Sequence, residues 1–348
     1  MTTPDRPDYI VWDITYACPL RCEHCYSESG RRPTRQLDHD EILRVADRII
    51  ELAPAAVGMA GGEALVVRGV FDIIERIMDA GIEVLLYTGG WPLRPHMMAD
   101  LLRLRPRVHV SVDGATAAVH DRIRGRAGSF DRAMAALRLL DEASEAARRD
   151  GGEPLEFGLD ATIVRSSYDQ LDLFCTDIAP RFPELGFLAL SAVVPSGLAN
   201  RAGFVEHEVL SDEQTASFTT AALRDRLRAL TPADVELSTS DNKAMMMHPD
   251  QVANGSAFRG IAVEPDGAVR AMCIYEGVVG NLLADEPAEL WQRARARWSD
   301  PFVADTLRPV RSMRQWAEAV RRIDYHFGTD SDRARIDRRP AFAAPVSV

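Results

Sequence analysis

Cysteine is scarce in this chain, yet three of its five copies fall within eight residues, in "CPLRCEHC" at 18–25. Long apolar runs are missing: no stretch approaches the roughly 20 residues that span a bilayer, so no membrane association is expected. The start, "MTTPDRPDYIVWDITYAC", lacks the basic, apolar and cleavage regions of a secretion signal. A cytoplasmic location is therefore expected. Positive charge is in deficit, with 41 Lys and Arg against 52 Asp and Glu and a formal net charge of −11. That balance argues against a nucleic-acid partner, which would need a basic stripe. In a reducing compartment, clustered thiols hold metal or do redox work more often than they form staples.

The 348 residues, 46% hydrophobic and 27% charged, suffice for one large α/β domain with an appendage. Strand-like and helix-like segments alternate. "YIVWDIT" reads as a strand, "DHDEILRVADRIIELA" as a helix capped by its first Asp, and "AVGMAGGEALV" as a strand breaking into a glycine turn. The alternation continues through "VFDIIERIMDAG", "IEVLLYTGG", "HMMADLLRLR", "VHVSVDG" and "SFDRAMAALRLLDEASEAARR", then "EFGLDATIV", "YDQLDLFCTDIAPRFP" and "GFLALSAVVPSG". Six β-then-α units imply a parallel sheet with helices outside. The fold class expected is α/β: a partial (β/α)6 barrel with its chemistry at the C-terminal strand ends.

After Arg201 the pattern changes. "SDEQTASFTTAALRDRLRAL" reads as one helix, and "FRGIAVEPDGAVRAMCIYEGVVGNLL" as a hairpin about a Pro-Asp-Gly turn, followed by helices. The expected division is a barrel over 1–201, a β-hairpin and helix extension over 202–330, and a flexible tail over 331–348.

Cys18, Cys22 and Cys25 are spaced C-x3-C-x2-C, with no fourth cysteine nearby. Structural zinc takes four ligands, and His24, lodged between two of the thiols, is an awkward fourth. Three thiolates on an iron–sulfur cluster leave one iron open to a second ligand. In this setting the loop resembles that of the radical S-adenosylmethionine (SAM) enzymes. "MAGGEALV" is similar to the family's Gly-Gly-Glu turn. "SVDGATAAVHDRIRGRAGSF" resembles the subgroup that carries a SPASM-type extension. The likeness covers roughly residues 9–200, and 255–292 more loosely.

The resemblance implies that Cys18, Cys22 and Cys25 ligate a [4Fe–4S] cluster whose open iron is chelated by SAM. It places His24 near the adenine, and Gly61, Gly62 and Glu63 at the SAM amino group. Ser111 and Asp113 would border SAM or substrate, Arg124 would grip the SAM carboxylate, and Val193 and Val194 would line the adenine. A flavodoxin or ferredoxin is implied as electron donor. "IAVEPDGAVRAMC … VVGNLL" resembles the SPASM segment, but Cys273 is its lone thiol, so no auxiliary cluster is expected there. Cys273 reads either as a buried hairpin thiol or as a hydrogen donor that quenches a substrate radical. Cys175 reads as core, "KAMMMHPD" as a loop, and Trp91 as core or a stacking surface.

The first strand follows the chain start closely, so a leader-binding domain is not expected. Together with the single cluster, this leads to a small-molecule substrate being expected. The chain resembles decarboxylases acting on cytosylglucuronic acid, a sugar nucleoside of blasticidin-type antibiotic pathways. Such a substrate needs a cation for its carboxylate, and Arg201, Arg259 and Lys243 are the candidates. The alternatives are a peptide maturase with a separate leader-binding partner, or a sugar or aminocyclitol dehydrogenase or epimerase.

Overall fold

The computed structural model describes residues 6–33 and 35–343. Its strands are β1 (Tyr9–Thr15), β2 (Ala56–Gly61), β3 (Glu83–Thr88), β4 (Arg107–Ser111), β5 (Phe157–Ile163), β6 (Phe187–Ala192), β7 (Glu236–Ser240), β8 (Gly260–Val263), β9 (Ala268–Arg270) and β10 (Val278–Asn281). They form one sheet in the order β10-β9-β8-β1-β2-β3-β4-β5-β6-β7. From β8 through β7 every neighbouring pair is parallel, and β9 and β10 run antiparallel. The fold is thus mixed α/β with a mostly parallel sheet, consistent with an open radical SAM-type barrel.

Helices α1 (His39–Leu52), α2 (Val70–Asp79), α3 (Met98–Leu104), α4 (Ala117–Arg124) and α5 (Ser129–Arg149) connect the early strands. Asp38 opens α1 by accepting from the Glu41 amide, while Glu41 reaches back to the Asp38 amide. That reciprocal cap satisfies two orphan donors. Ile42, Val45 and Ile49 of α1 are buried, as are Ile10, Trp12 and Ile14 of β1, in one continuous core. Each such side chain contributes about 1.5–3 kcal/mol by leaving water.

The six expected βα units are present as β1 to β6, and their parallel sheet is extended at both edges, where β7 pairs with β6 (Leu188 opposite Leu237) and β8 pairs with β1 (Tyr9 opposite Gly260). Other expectations are corrected. The hairpin extension therefore continues the barrel sheet, and a boundary at 201 cuts through it. The single helix expected after Ser211 is two, Asp212–Ser217 and Ala221–Leu230, since the Thr220 hydroxyl accepts from the Leu223 amide and starts a new helix. The helix expected at 168–183 breaks into short turns, Leu171–Leu173, Phe174–Ile178 and Ala179–Arg181, the last containing Pro180, which has no amide hydrogen to continue a helical ladder. The expected tail begins with a helix, Asp330–Asp337, pinned by Arg335 and Arg339 on buried Glu28. Residues 344–348 lie outside the described chain. No helix among the described residues is long and apolar enough to cross a membrane.

Candidate active site

The cysteine loop leaves β1 and is tied on both sides. The Arg21 amide donates to the Arg124 carbonyl at 3.0 Å and the Glu23 amide to the Ile123 carbonyl at 2.8 Å. These are orphan carbonyls at the C-terminus of α4. Gly125 ends that helix at φ +63°, where a Cβ would stand 2.3 Å from the Arg21 carbonyl oxygen. On the other side the Gly62 amide donates to the Thr15 carbonyl and the Glu63 amide to the Ala17 carbonyl. Within the loop, the Leu20 amide points at the Cys18 sulfur (3.4 Å) and the Ser29 amide at the Cys25 sulfur (3.3 Å). Such bonds favour negative charge on sulfur.

All three thiols line one cavity of about 450 Å³ that also receives His24, the Gly61–Glu63 turn, Ser111, Arg124 and Val193–Val194. The site expected from the family resemblance is therefore one physical space. A larger hollow of about 1050 Å³ lies beside the loop, next to Ala17 and Gly30–Pro33, but no thiol lines it.

Asp113 is the exception. It is fully buried, with its carboxylate taking up His24 Nε2 and Arg124 Nε at 2.7 Å each and accepting from the Thr162 amide. It positions its neighbours rather than bordering the cavity. Burial opposes its ionisation, but Arg124 and His24 outweigh burial and hold its carboxyl well below the usual range. Glu63 accepts from the Gly89 amide at 2.9 Å, tying the turns after β2 and β3 together, and burial pushes its carboxyl up to about 7.

Two basic candidates are placed elsewhere. Arg201 is buried but paired with Glu23 and lies over the rings of Phe204 and Phe342. Arg259 precedes β8 and pairs with Asp8 at 3.1 Å, at the N-terminal end of the parallel strands, opposite the cysteine loop. Lys243 is part-exposed beside Asp241 at 3.8 Å and does not line the cavity. His248 caps the helix Pro249–Asn254. Cys175 is core, as expected. Trp91 lies beneath Arg126 and Arg132, 3.7 and 5.4 Å from its ring centre.

Cys273 lines the cavity, buried, with its thiol pushed up to about 12 by burial. Sequence reasoning missed Tyr9, Tyr26, Tyr87, Asp160 and Phe258, which line the deeper wall. The signal was present: Tyr87 and Asp160 interrupt otherwise apolar strands at inward positions of the period-two pattern. Tyr26 donates to Asp13 at 2.6 Å, and buried Arg270 pairs with the same carboxylate at 3.3 Å.

Fold and loop define a class: an open parallel barrel presenting three cysteine thiols to its interior. Residues 12–146 match the family model described as the Radical SAM superfamily. The chain is similar to the mycofactocin maturase MftC of Mycolicibacterium smegmatis, 31% identical over 194 residues, which are 56% of this chain and 46% of MftC. It also resembles the AdoMet-dependent heme synthase of Methanosarcina barkeri, 35% identical over 141 residues, 40% of each chain. The subtilosin biosynthesis protein AlbA of Bacillus subtilis is 22% identical over 86% of this chain and 64% of its own. The chain thus spans less than half the length of the first two of these relatives.

Among solved structures, anSMEcpe with bound AdoMet has a TM-score of 0.58 at 15% identity, covering 83% of this chain and 82% of that one. SuiB of Streptococcus suis bound to its precursor peptide SuiA has a TM-score of 0.59 at 11% identity, covering 88% and 68%. At such identities they show the fold alone.

Radical SAM proteins use a [4Fe–4S] cluster and SAM, and the residues here fit both. The donor set is three soft thiols with amides aimed at two of the sulfurs. Among the described residues no three His, Cys, Asp or Glu side chains gather to hold a single metal ion, and His24 is committed to Asp113. Burial pushes Cys18 up to about 11 and Cys22 to about 12. Neither is therefore a free nucleophile near neutral pH, and a bound cluster would have to displace their protons.

Proposed function

We propose that this protein is a radical SAM enzyme that abstracts hydrogen from a residue of a peptide substrate. The observation that carries the reading is the shared cavity. Its walls hold the three thiols, the Gly-Gly-Glu turn and Cys273, and Arg124 is the sole Lys or Arg among its described lining residues. Names among the relatives, a mycofactocin maturase and a bacteriocin biosynthesis protein, support a peptide. So does the precursor peptide on SuiB. Decarboxylation of a sugar acid has less support, because the cations it called for, Arg201, Arg259 and Lys243, stand outside the cavity.

In this reading Cys18, Cys22 and Cys25 hold the cluster. Glu63 receives the SAM ammonium, and Arg124, oriented by Asp113, receives its carboxylate through the guanidinium edge not used by Asp113. When bound and reduced by one electron, the cluster and SAM supply a carbon-centred radical that takes a hydrogen atom from substrate. Val193 and Val194 keep water from the adenine side. Tyr87 and Asp160 on the deeper wall orient the substrate side chain by hydrogen bonds. Cys273 holds its hydrogen at Sγ, since burial disfavours the thiolate, and is set to give that hydrogen atom to the substrate radical, the sulfur radical left behind regaining one electron from the external donor and one proton from solvent.

The test is anaerobic reconstitution with iron and sulfide, then SAM and dithionite. Wild type is expected to form 5′-deoxyadenosine and methionine, and Cys22→Ala neither. A peptide encoded by a short reading frame beside this gene, co-expressed with the enzyme, should change mass or retention. In deuterium oxide the product should carry deuterium, which Cys273→Ala loses while still cleaving SAM. Cleavage stimulated by cytosylglucuronic acid and by no such peptide would overturn the peptide reading.

A further inference from the structure

The outer face of the cysteine loop differs in charge from the rest of the molecule. The chain carries a formal net charge of −11, yet Arg21, Arg31, Arg126 and Arg132 are all exposed around this loop. Arg21 donates to the carbonyls of Cys18 (2.8 Å) and Leu20 (2.7 Å). Arg31 donates to the carbonyls of Arg21 (3.0 Å) and Cys22 (3.5 Å). Arg126 donates to the Pro19 carbonyl at 2.5 Å. Trp91 supports Arg126 and Arg132 from below.

Among the described residues none of these four has a carboxylate within 4.0 Å. Of the nearby acids, Asp131, next to Arg132 in sequence, is exposed, and Glu23 pairs with Arg201. Asp121 accepts from Gly128, Ser129 and Phe130 at the start of α5. The loop itself is thin, with Ala17 exposed and Cys18 half-buried. The arginines therefore surround the loop where Ala17 and Cys18 come close to the outer surface, and bond its Cys18 and Pro19 carbonyls.

We infer that this arginine belt, Arg21, Arg31, Arg126 and Arg132 about Trp91, is the docking surface for an acidic one-electron carrier protein of the flavin or iron–sulfur type. The inference rests on the cluster assignment of the proposed function. The cavity side of the loop is taken up by SAM and substrate, so the reducing electron enters from outside, and tunnelling falls steeply with distance. An acidic carrier is repelled by most of this anionic molecule and attracted here, which fixes orientation as well as encounter rate. Arginine and tryptophan are also the side chains that anchor interfaces most strongly. In the step, one electron leaves the carrier and one enters the cluster; no bond or proton moves.

The experiment uses the full chain with its cluster reconstituted anaerobically. Fully reduced flavodoxin is mixed with it in a stopped-flow cell at increasing sodium chloride, and carrier oxidation is followed. The double variant Arg126→Glu/Arg132→Glu should slow the reaction about tenfold or more at low salt. The gap should close as salt screens the charges. Dithionite should reduce the variant's cluster to the wild-type extent. Arg31→Glu alone, farther from Trp91, should show the same pattern in smaller measure. Equal flavodoxin rates in wild type and both variants would overturn the proposal, as would a matching loss with dithionite. A wild-type chain that holds no cluster, or cleaves no SAM with dithionite, would instead sink the functional reading beneath it.

Discussion

His120 and Asp113 illustrate how single groups around the thiols are tuned. The Asp113 amide donates to His120 Nδ1 at 3.2 Å, and His120 is buried. Burial, then the Arg124 cation, lowers its pKa from 6.5 to about 4. The folded chain thus keeps His120 neutral where the unfolded chain would protonate it. Its contribution is complete above about pH 6.5 and is lost as pH falls toward 4. His120→Asn, which keeps an acceptor for the Asp113 amide, should lose roughly 2–3 kcal/mol less than wild type over that window. Chemical melts at pH 7 and pH 4.5 check this, and parallel losses would refute it. The cysteine spacing was readable because thiol chemistry is local. The His24–Asp113–Arg124 triad was not, since its members are 89 and 11 residues apart in sequence.

Between elements, the decisive contact is the turn after β2 lying against the turn after β1. A Cβ on Gly62 would sit 2.2 Å from the Ala17 carbonyl oxygen and 2.7 Å from its carbon. Backbone cannot yield as a flexible side chain would. Gly62→Ala should cost about 2–4 kcal/mol and loosen the cluster loop, seen as a lower Tm and faster iron loss to a chelator. An unchanged Tm and chelation rate would show that the two turns move apart freely. The six early strands were legible because inward and outward positions alternate or run apolar. β7 was not: "ELSTS" is a polar edge strand that acquires its identity only by pairing with β6.

Across the whole molecule, the C-terminal helix locks back onto the cysteine loop. Glu28, buried and held at φ +54°, accepts both Arg335 and Arg339. Arg335 also reaches Glu276, which faces Arg32 and Arg270. This ionic layer joins the loop, the hairpin and the last helix. Removing one partner leaves buried charge uncompensated, so Arg339→Ala should cost about 3 kcal/mol by denaturant unfolding. It should also free residues 330–343 to proteolysis. Wild-type stability with a protected C-terminus would show the layer to be dispensable. A tail reading arose because the segment is rich in charge and poor in apolar residues. Its partners lie some 300 residues away, beyond any local pattern.

Sequence alone determined the six early strands and singled out the cysteine loop, because secondary structure and thiol chemistry depend on spacing over a few residues. Tertiary structure decided which side chains share the cavity. Strand polarity put Arg259 at the far end, packing turned Arg201 toward Glu23, and the hairpin's pairing with β1 carried Cys273 to the cavity wall beside Tyr26. Those outcomes depend on register and burial between distant segments, which no local window of residues contains.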